Sequence, residues 1–156
     1  MGQAAGDQNW SVEQSQASVS ETFEGSERIG AARDLARSFL TQLQVAHGVR
    51  VSARTSGAVE LVVSELVTNA LKFAPGPCLL SLEYKYGAIQ VSVRDNDPSL
   101  PVIGRSDPTR VGHHGLEIVM AVSEKLQFHE HPEGKQITSA ISLSDPRRDH
   151  GAARRP

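Results

Sequence analysis

Aromatic residues are scarce in this chain. They make up 4% of it, so any core has to be built from aliphatic side chains. There is a single cysteine, Cys78, which excludes an internal disulfide and fits a reducing compartment. A lone cysteine is most often a small buried hydrophobe. No apolar run approaches the roughly 18 residues that cross a bilayer. The N-terminus has neither a basic start nor an apolar segment, so it does not read as a signal peptide. Charge of one sign is lacking too. With 18 acidic against 16 basic groups the net charge is −2, and nothing points to direct nucleic-acid binding. The expectation is a cytoplasmic protein with no membrane segment. Its 156 residues suffice for one domain with a core and short tails.

The densest pattern lies at Val59–Ala74, VELVVSELVTNALKFA, with helical period and no internal Gly or Pro. Val59, Val63, Leu66, Val67, Ala70, Phe73 and Ala74 fall on one side, as a core-facing stripe would. Glu65, Asn69 and Lys72 follow the i, i+4, i+7 rule and line another side. Pro75-Gly76-Pro77 stops the helix. A carboxylate, an amide and an ammonium in one row suit a phosphate and metal site. An amide oxygen is a hard ligand for Mg²⁺, and a carboxylate one turn away can accept a proton. The bland reading of the same row is the wet face of an amphipathic helix.

The remaining elements are placed by periodicity. Residues 1–15 read as a flexible tail that includes Trp10, and 145–156 as a second, basic-ended tail. Between them lies one domain, 16–144. Ala17 to Phe23 alternates as an edge strand with Val19 inward. Ser26 is a candidate N-cap for a helix from Glu27 to Ala46, and Gly48 closes that helix. Leu79 to Tyr86 and Ile89 to Asp95 form a hairpin about Gly87-Ala88, with Leu80, Leu82, Tyr84 and Tyr86 on one side. Asp95 extends the inward series. It is open between a strand-end turn cap and an acceptor aimed into a ligand pocket. Asn96 to His114 is a long aperiodic loop carrying Pro98, Pro101 and Pro108, a length that usually signals function. Glycines then precede a helix expected over Leu116 to Lys125, where free N–H groups can meet an anion. The adjacent His113 and His114 share no helix face and lack spaced partners, which argues against a metal site. Two last strands, Leu126 to His131 and Gln136 to Leu143, flank Pro132-Glu133-Gly134.

Glu65-x-x-x-Asn69 on a helix, Val93-x-Asp95 at a strand end and Gly112-x-His114-Gly115-Leu116 opening a helix occur in this order. ELVTNALKFA resembles the N box of the GHKL (Bergerat-fold) ATPases. Within them the chain resembles the small anti-sigma-factor serine kinases over about 23–143. The resemblance implies an α+β two-layer sandwich, a mixed, mainly antiparallel sheet with about three helices on one face. It implies ATP and Mg²⁺ as cofactors. Glu65 matches the catalytic glutamate, Asn69 the Mg²⁺-binding asparagine and Lys72 a common basic position. Asp95 matches the aspartate that accepts from the adenine amino group. Gly112, His114, Gly115 and Leu116 match the glycine box at the phosphates. Two positions depart from the pattern: Asp97 stands where a glycine is usual, and Gln136 where the late G-K-T segment has threonine. His113 replaces a common glycine. The implied activity is a serine/threonine protein kinase that holds a sigma factor, phosphorylates a STAS-domain antagonist and works as a homodimer. The alternative is a weak or inactive binding module that sequesters a regulatory partner.

Overall fold

The computed structural model describes residues 17–25, 28–73, 76–97 and 113–144. Both expected tails, Trp10, Ser26, Gly112 and most of the Asn96 to His114 loop lie outside them. In chain order the elements are β1 (Ala17–Phe23), α1 (Ile29–Ala46), α2 (Ala53–Phe73), β2 (Cys78–Lys85), β3 (Ala88–Asp95), α3 (His113–Val122), β4 (Lys125–His131) and β5 (Gly134–Ser142).

The strands form one sheet in the order β1-β2-β3-β5-β4, and all four pairings are antiparallel. The expected two-layer α+β arrangement is present, without a parallel pair. The helices cover one face. Helix α2 packs over β2, β3 and β5, with α1 and α3 on either side of it. β5 inserts between β3 and the edge strand β4, so the last hairpin closes back onto the middle of the sheet.

The core is aliphatic, as the shortage of aromatics requires. Leu40 and Leu43 of α1 meet Val59, Val62, Val63, Leu66 and Val67 of α2 and Leu80, Leu82, Ile89, Val91 and Val93 of the sheet. Truncating one of these leucines to alanine costs about 2–5 kcal/mol, transfer and cavity together. Val62, at the margin of the stripe, is fully buried as well.

Several boundaries differ from expectation, and so does the buried residue of β1. Helix α2 begins at Ala53, six positions before Val59. Ser52 caps it: its Oγ accepts the Thr55 N–H at 3.1 Å, and this outweighs the roughly 1 kcal/mol cost of Gly57 inside the helix. Helix α3 spans His113–Val122 rather than Leu116 to Lys125. Ser123 ends it by turning its hydroxyl back to the Val119 carbonyl, and Lys125 already belongs to β4. The hairpin turn is Tyr86-Gly87, with φ of 55° and 72°. Two positive φ values match the twist of the flanking strands. Tyr86 is therefore 76% exposed instead of inward, and Ala88 is a buried strand residue. On β1 the buried residue is Phe23, while Val19 is half-buried at the edge.

Candidate functional site

Helix geometry delivers the first part of the site. Glu65 and Asn69 are one turn apart on α2, and Lys72 is in its last turn. They are not equivalent in burial. Asn69 is 8% exposed, Glu65 half-buried and Lys72 exposed. The wet-face reading therefore fails for Asn69, which is buried.

Helix α3 reaches this row with its first turn. A Cβ at Gly115 would overlap Oε1 of Glu65, so the α3 backbone lies against that carboxylate and a larger residue there would push the Glu65 side chain aside. The first-turn N–H groups of a helix have no intrahelical acceptor, and the helix dipole favours anions there. Leu116 does a different job. It is 3% exposed and seats α3 in the core, so its contribution to any ligand is limited to its backbone. His114 lies in the first turn by its backbone, its side chain being outside the described residues, as is all of Gly112.

Strand geometry delivers the second part. Ile89, Val91, Val93 and Asp95 point inward along β3, and in register β5 supplies Ile141, Ser139, Ile137 and Lys135. Asp95 and Lys135 are thus direct cross-strand neighbours, both buried. The Lys135 ammonium donates to Oδ1 of Asp95 at 3.1 Å and lies 3.0 Å from Oδ2. It also donates to the Asp97 carbonyl at 3.3 Å. The Asp97 N–H donates to Asp95 Oδ1 at 2.9 Å. A pair this enclosed is held because removing either charge leaves the other uncompensated. Nearby, a Cβ at Gly134 would overlap the Asp95 carbonyl oxygen, and one at Gly76 would lie 2.9 Å from Asn96 Nδ2. Cys78 shares this corner. Its thiol is pushed up to about 11, first by burial and then by the negative charge of Asp95.

Gln136 does not join them. It pairs with Arg94 and faces the other side of the sheet, where its amide reaches Thr138. The residue beside Asp95 is Lys135, which the motif comparison passed over. Strict alternation along Gly134–Ser142 would have found it, because Ile137 and Ile141 fix the inward parity.

Among the described residues no group of three or more His, Cys, Asp or Glu could hold a metal. A Mg²⁺ ion carried in with a triphosphate would take only one or two protein oxygens and keep phosphate and water ligands. Asn69 Oδ1, with Glu65 beside it and the glycine-backed turn opposite, fits such a group at the phosphate end. A cleft of about 680 Å³, lined by Arg54, Ala58, Leu61, Val122, Glu124 and Ile141, lies at the opposite end of α2 and contains none of these residues. The row of Glu65, Asn69 and Lys72 lies toward the C-terminal end of α2, away from that cleft.

The sequence model of a family described as "Histidine kinase-like ATPase domain" matches residues 27–141. No curated protein matches the chain. Among solved structures, the RsbU and RsbW domains of Rv1364c from Mycobacterium tuberculosis are similar with a TM-score of 0.61 at 17% identity. That match covers 83% of this chain and 33% of the other, so the chain spans about a third of that structure. The histidine kinase domain of a blue-light activated histidine kinase from Erythrobacter litoralis has a TM-score of 0.47 at 20% identity, covering 72% of this chain and 65% of its own. The histidine kinase AdeS of Acinetobacter baumannii has a TM-score of 0.46 at 15% identity, covering 81% and 68%. Among the described residues no helix is long and apolar enough to cross a membrane.

Proposed function

The chain belongs to the histidine kinase-like ATPase domain family, a fold that binds ATP, and from that premise we propose that it is a serine/threonine protein kinase acting as an anti-sigma factor. The observation that carries the reading is the approach of Gly115 to Glu65. It sets a proton acceptor against a helix start that can hold phosphate. The resemblance of the N box to the anti-sigma-factor serine kinases supplies the partners: a sigma factor to sequester and a STAS-domain antagonist to phosphorylate. It also supplies the homodimer and the cytoplasmic setting.

In this reading Asn69 and the free N–H groups of α3 hold the triphosphate end. Asn69 would hold a Mg²⁺ ion brought in with the nucleotide, and that ion would supply charge neutralisation on the phosphates. Glu65 receives the proton of the substrate Ser or Thr hydroxyl as its oxygen bonds to the γ-phosphorus and the β–γ bridging bond breaks. The N–H groups stabilise the oxygens of the transferring phosphoryl. Lys72, exposed at the helix end, is placed to meet phosphate or partner charge.

The test is transfer of radiolabelled phosphate from ATP to a STAS-domain protein, beside a nucleotide-binding assay. Glu65→Ala is expected to keep nucleotide binding while transfer falls roughly 10²-fold or more, the scale of a lost general base. Asn69→Ala is expected to lose the Mg²⁺-dependent part of binding itself. A wild type that holds a sigma factor yet phosphorylates no candidate antagonist would replace this reading with the binding-module one. One observation favours that second reading: Asp95, the expected adenine acceptor, is already engaged by Lys135.

A further inference from the structure

We propose that the segment before β1 folds back along the free edge of that strand and seats Trp10 in the groove between β1 and α1. The groove contains none of the residues of the site above, and the inference does not depend on the nucleotide reading.

β1 is an edge strand. It pairs with β2 on one side, and among the described residues no strand pairs with the other. An uncovered edge offers its unpaired N–H and C=O groups to any strand that arrives, and proteins manage this by covering it. A groove of about 310 Å³ lies between β1 and α1. No residue of β2 lines it, so it lies toward the free edge. Its floor is apolar: Phe39 and Leu43 of α1 are buried, and Leu35 and Val19 are half-buried. Its rim is polar, with Ser38 and Gln42 exposed. An apolar floor under a polar rim suits a tryptophan, whose ring gains by burial while its N–H needs an acceptor.

The occupant is identified by what precedes the strand. Ala17, the first residue of β1, itself lines the groove, so the chain enters the strand at the groove wall. Between Gly2 and Gln16 the only large apolar side chains are Trp10 and Val12, with Ser11 between them. That is the alternation of a strand with one apolar side. Reversal about Gln14-Ser15, by a turn of two residues or of four, gives one antiparallel register: Val12 opposite Ala17 and Trp10 opposite Val19. Ala17 and Val19 are the half-buried residues at this end of β1, and Ser18 and Ser20 are exposed. Directly opposed residues share a face, so Trp10 and Val12 join the α1 side. Reach is no obstacle. Trp10 is seven positions before Ala17, roughly 23 Å when extended. So short a connection holds the segment at about millimolar effective concentration, ahead of an equally good strand arriving from outside at micromolar concentration. A partner or a second copy adds a strand to the β1 edge only after this segment leaves it.

Trp10 is the only tryptophan, so fluorescence reports that one side chain. The full chain is measured natively and in urea, with acrylamide as quencher. Native emission is expected to be blue-shifted from that in urea, with quenching several-fold weaker, and to hold on dilution from high to low micromolar. Ser38→Arg fills the groove from an exposed position, and Val19→Lys sets a charge opposite the indole; circular dichroism checks that each variant folds. Both are expected to return emission and quenching most of the way to the urea values. Native emission and quenching equal to those in urea overturn the proposal. So does a shielded Trp10 that neither folded variant moves, since the indole then lies elsewhere. Shielding that disappears on dilution overturns it too, because the groove is then filled by the segment of a second copy. If Val19→Lys does not fold, Ser38→Arg decides alone.

Discussion

Glu65 and Asn69 lie one turn apart on a single helix, while Asp95 and Lys135 are forty residues apart and meet across two strands. The first couple is poised beside open backbone, with Lys72 exposed next to it. The second is buried and bonded to itself. The first couple is therefore open to change at little structural cost, and the second is built into the core. Changes at Asp95 and Lys135 should cost stability, and under the proposed function changes in the helical row should cost activity.

The sharpest way to break that contrast is at Gly134. A Cβ there would overlap a backbone oxygen, that of Asp95, which no rotamer can relieve. Gly134→Ala is expected to destabilise by about 3 kcal/mol or more, read by urea denaturation. A neutral result would mean that the β3–β5 contact is loose. Asp95→Asn comes next. It leaves the Lys135 ammonium buried without its counter-charge, with an expected loss of about 3 kcal/mol, and adding Lys135→Met should return most of it. If the double variant is no better than the single, the two side chains are not coupled.

Glu65→Ala sets the opposite pole. The carboxylate is half-buried and lies at the far end of a flexible side chain, so its removal is expected to change stability by less than about 0.5 kcal/mol while phosphoryl transfer collapses. A large loss of stability would erase the distinction between the two ends. The last effect, confined to alkaline pH, belongs to Cys78. Its thiol titrates near 11 when folded against 9.0 when unfolded. Below pH 9 both states keep the proton. Between pH 9 and 11 the unfolded state releases it first, so stability falls as pH rises through that window. Cys78→Ala should remove that portion of the alkaline slope, and the native thiol should resist iodoacetamide at pH 8.

Much of this arrangement was legible residue by residue. The row on α2 follows from counting i, i+4, i+7, and the inward series ending at Asp95 from counting by two. Burial was less legible. The stripe did not include Val62, and the wet-face alternative did not foresee that the amide of Asn69 would be covered. Helix starts were misplaced where a side-chain cap outweighed a glycine, as at Ser52. The partner of Asp95 was missed because motif spacing led to Gln136, whose parity on β5 sends it to the other face.

The sequence by itself determined the helical row, because backbone hydrogen bonds four residues apart set its spacing without reference to the rest of the chain. It also determined which faces are apolar, and with them the two-layer class. Only the tertiary structure decided that β5 lies beside β3, that Lys135 stands opposite Asp95, and that Gly115 meets Glu65. Those contacts join segments far apart in the chain. Their register is fixed by packing the whole aliphatic core at once, where a slip of one residue would turn Ile137 and Ile141 out of it.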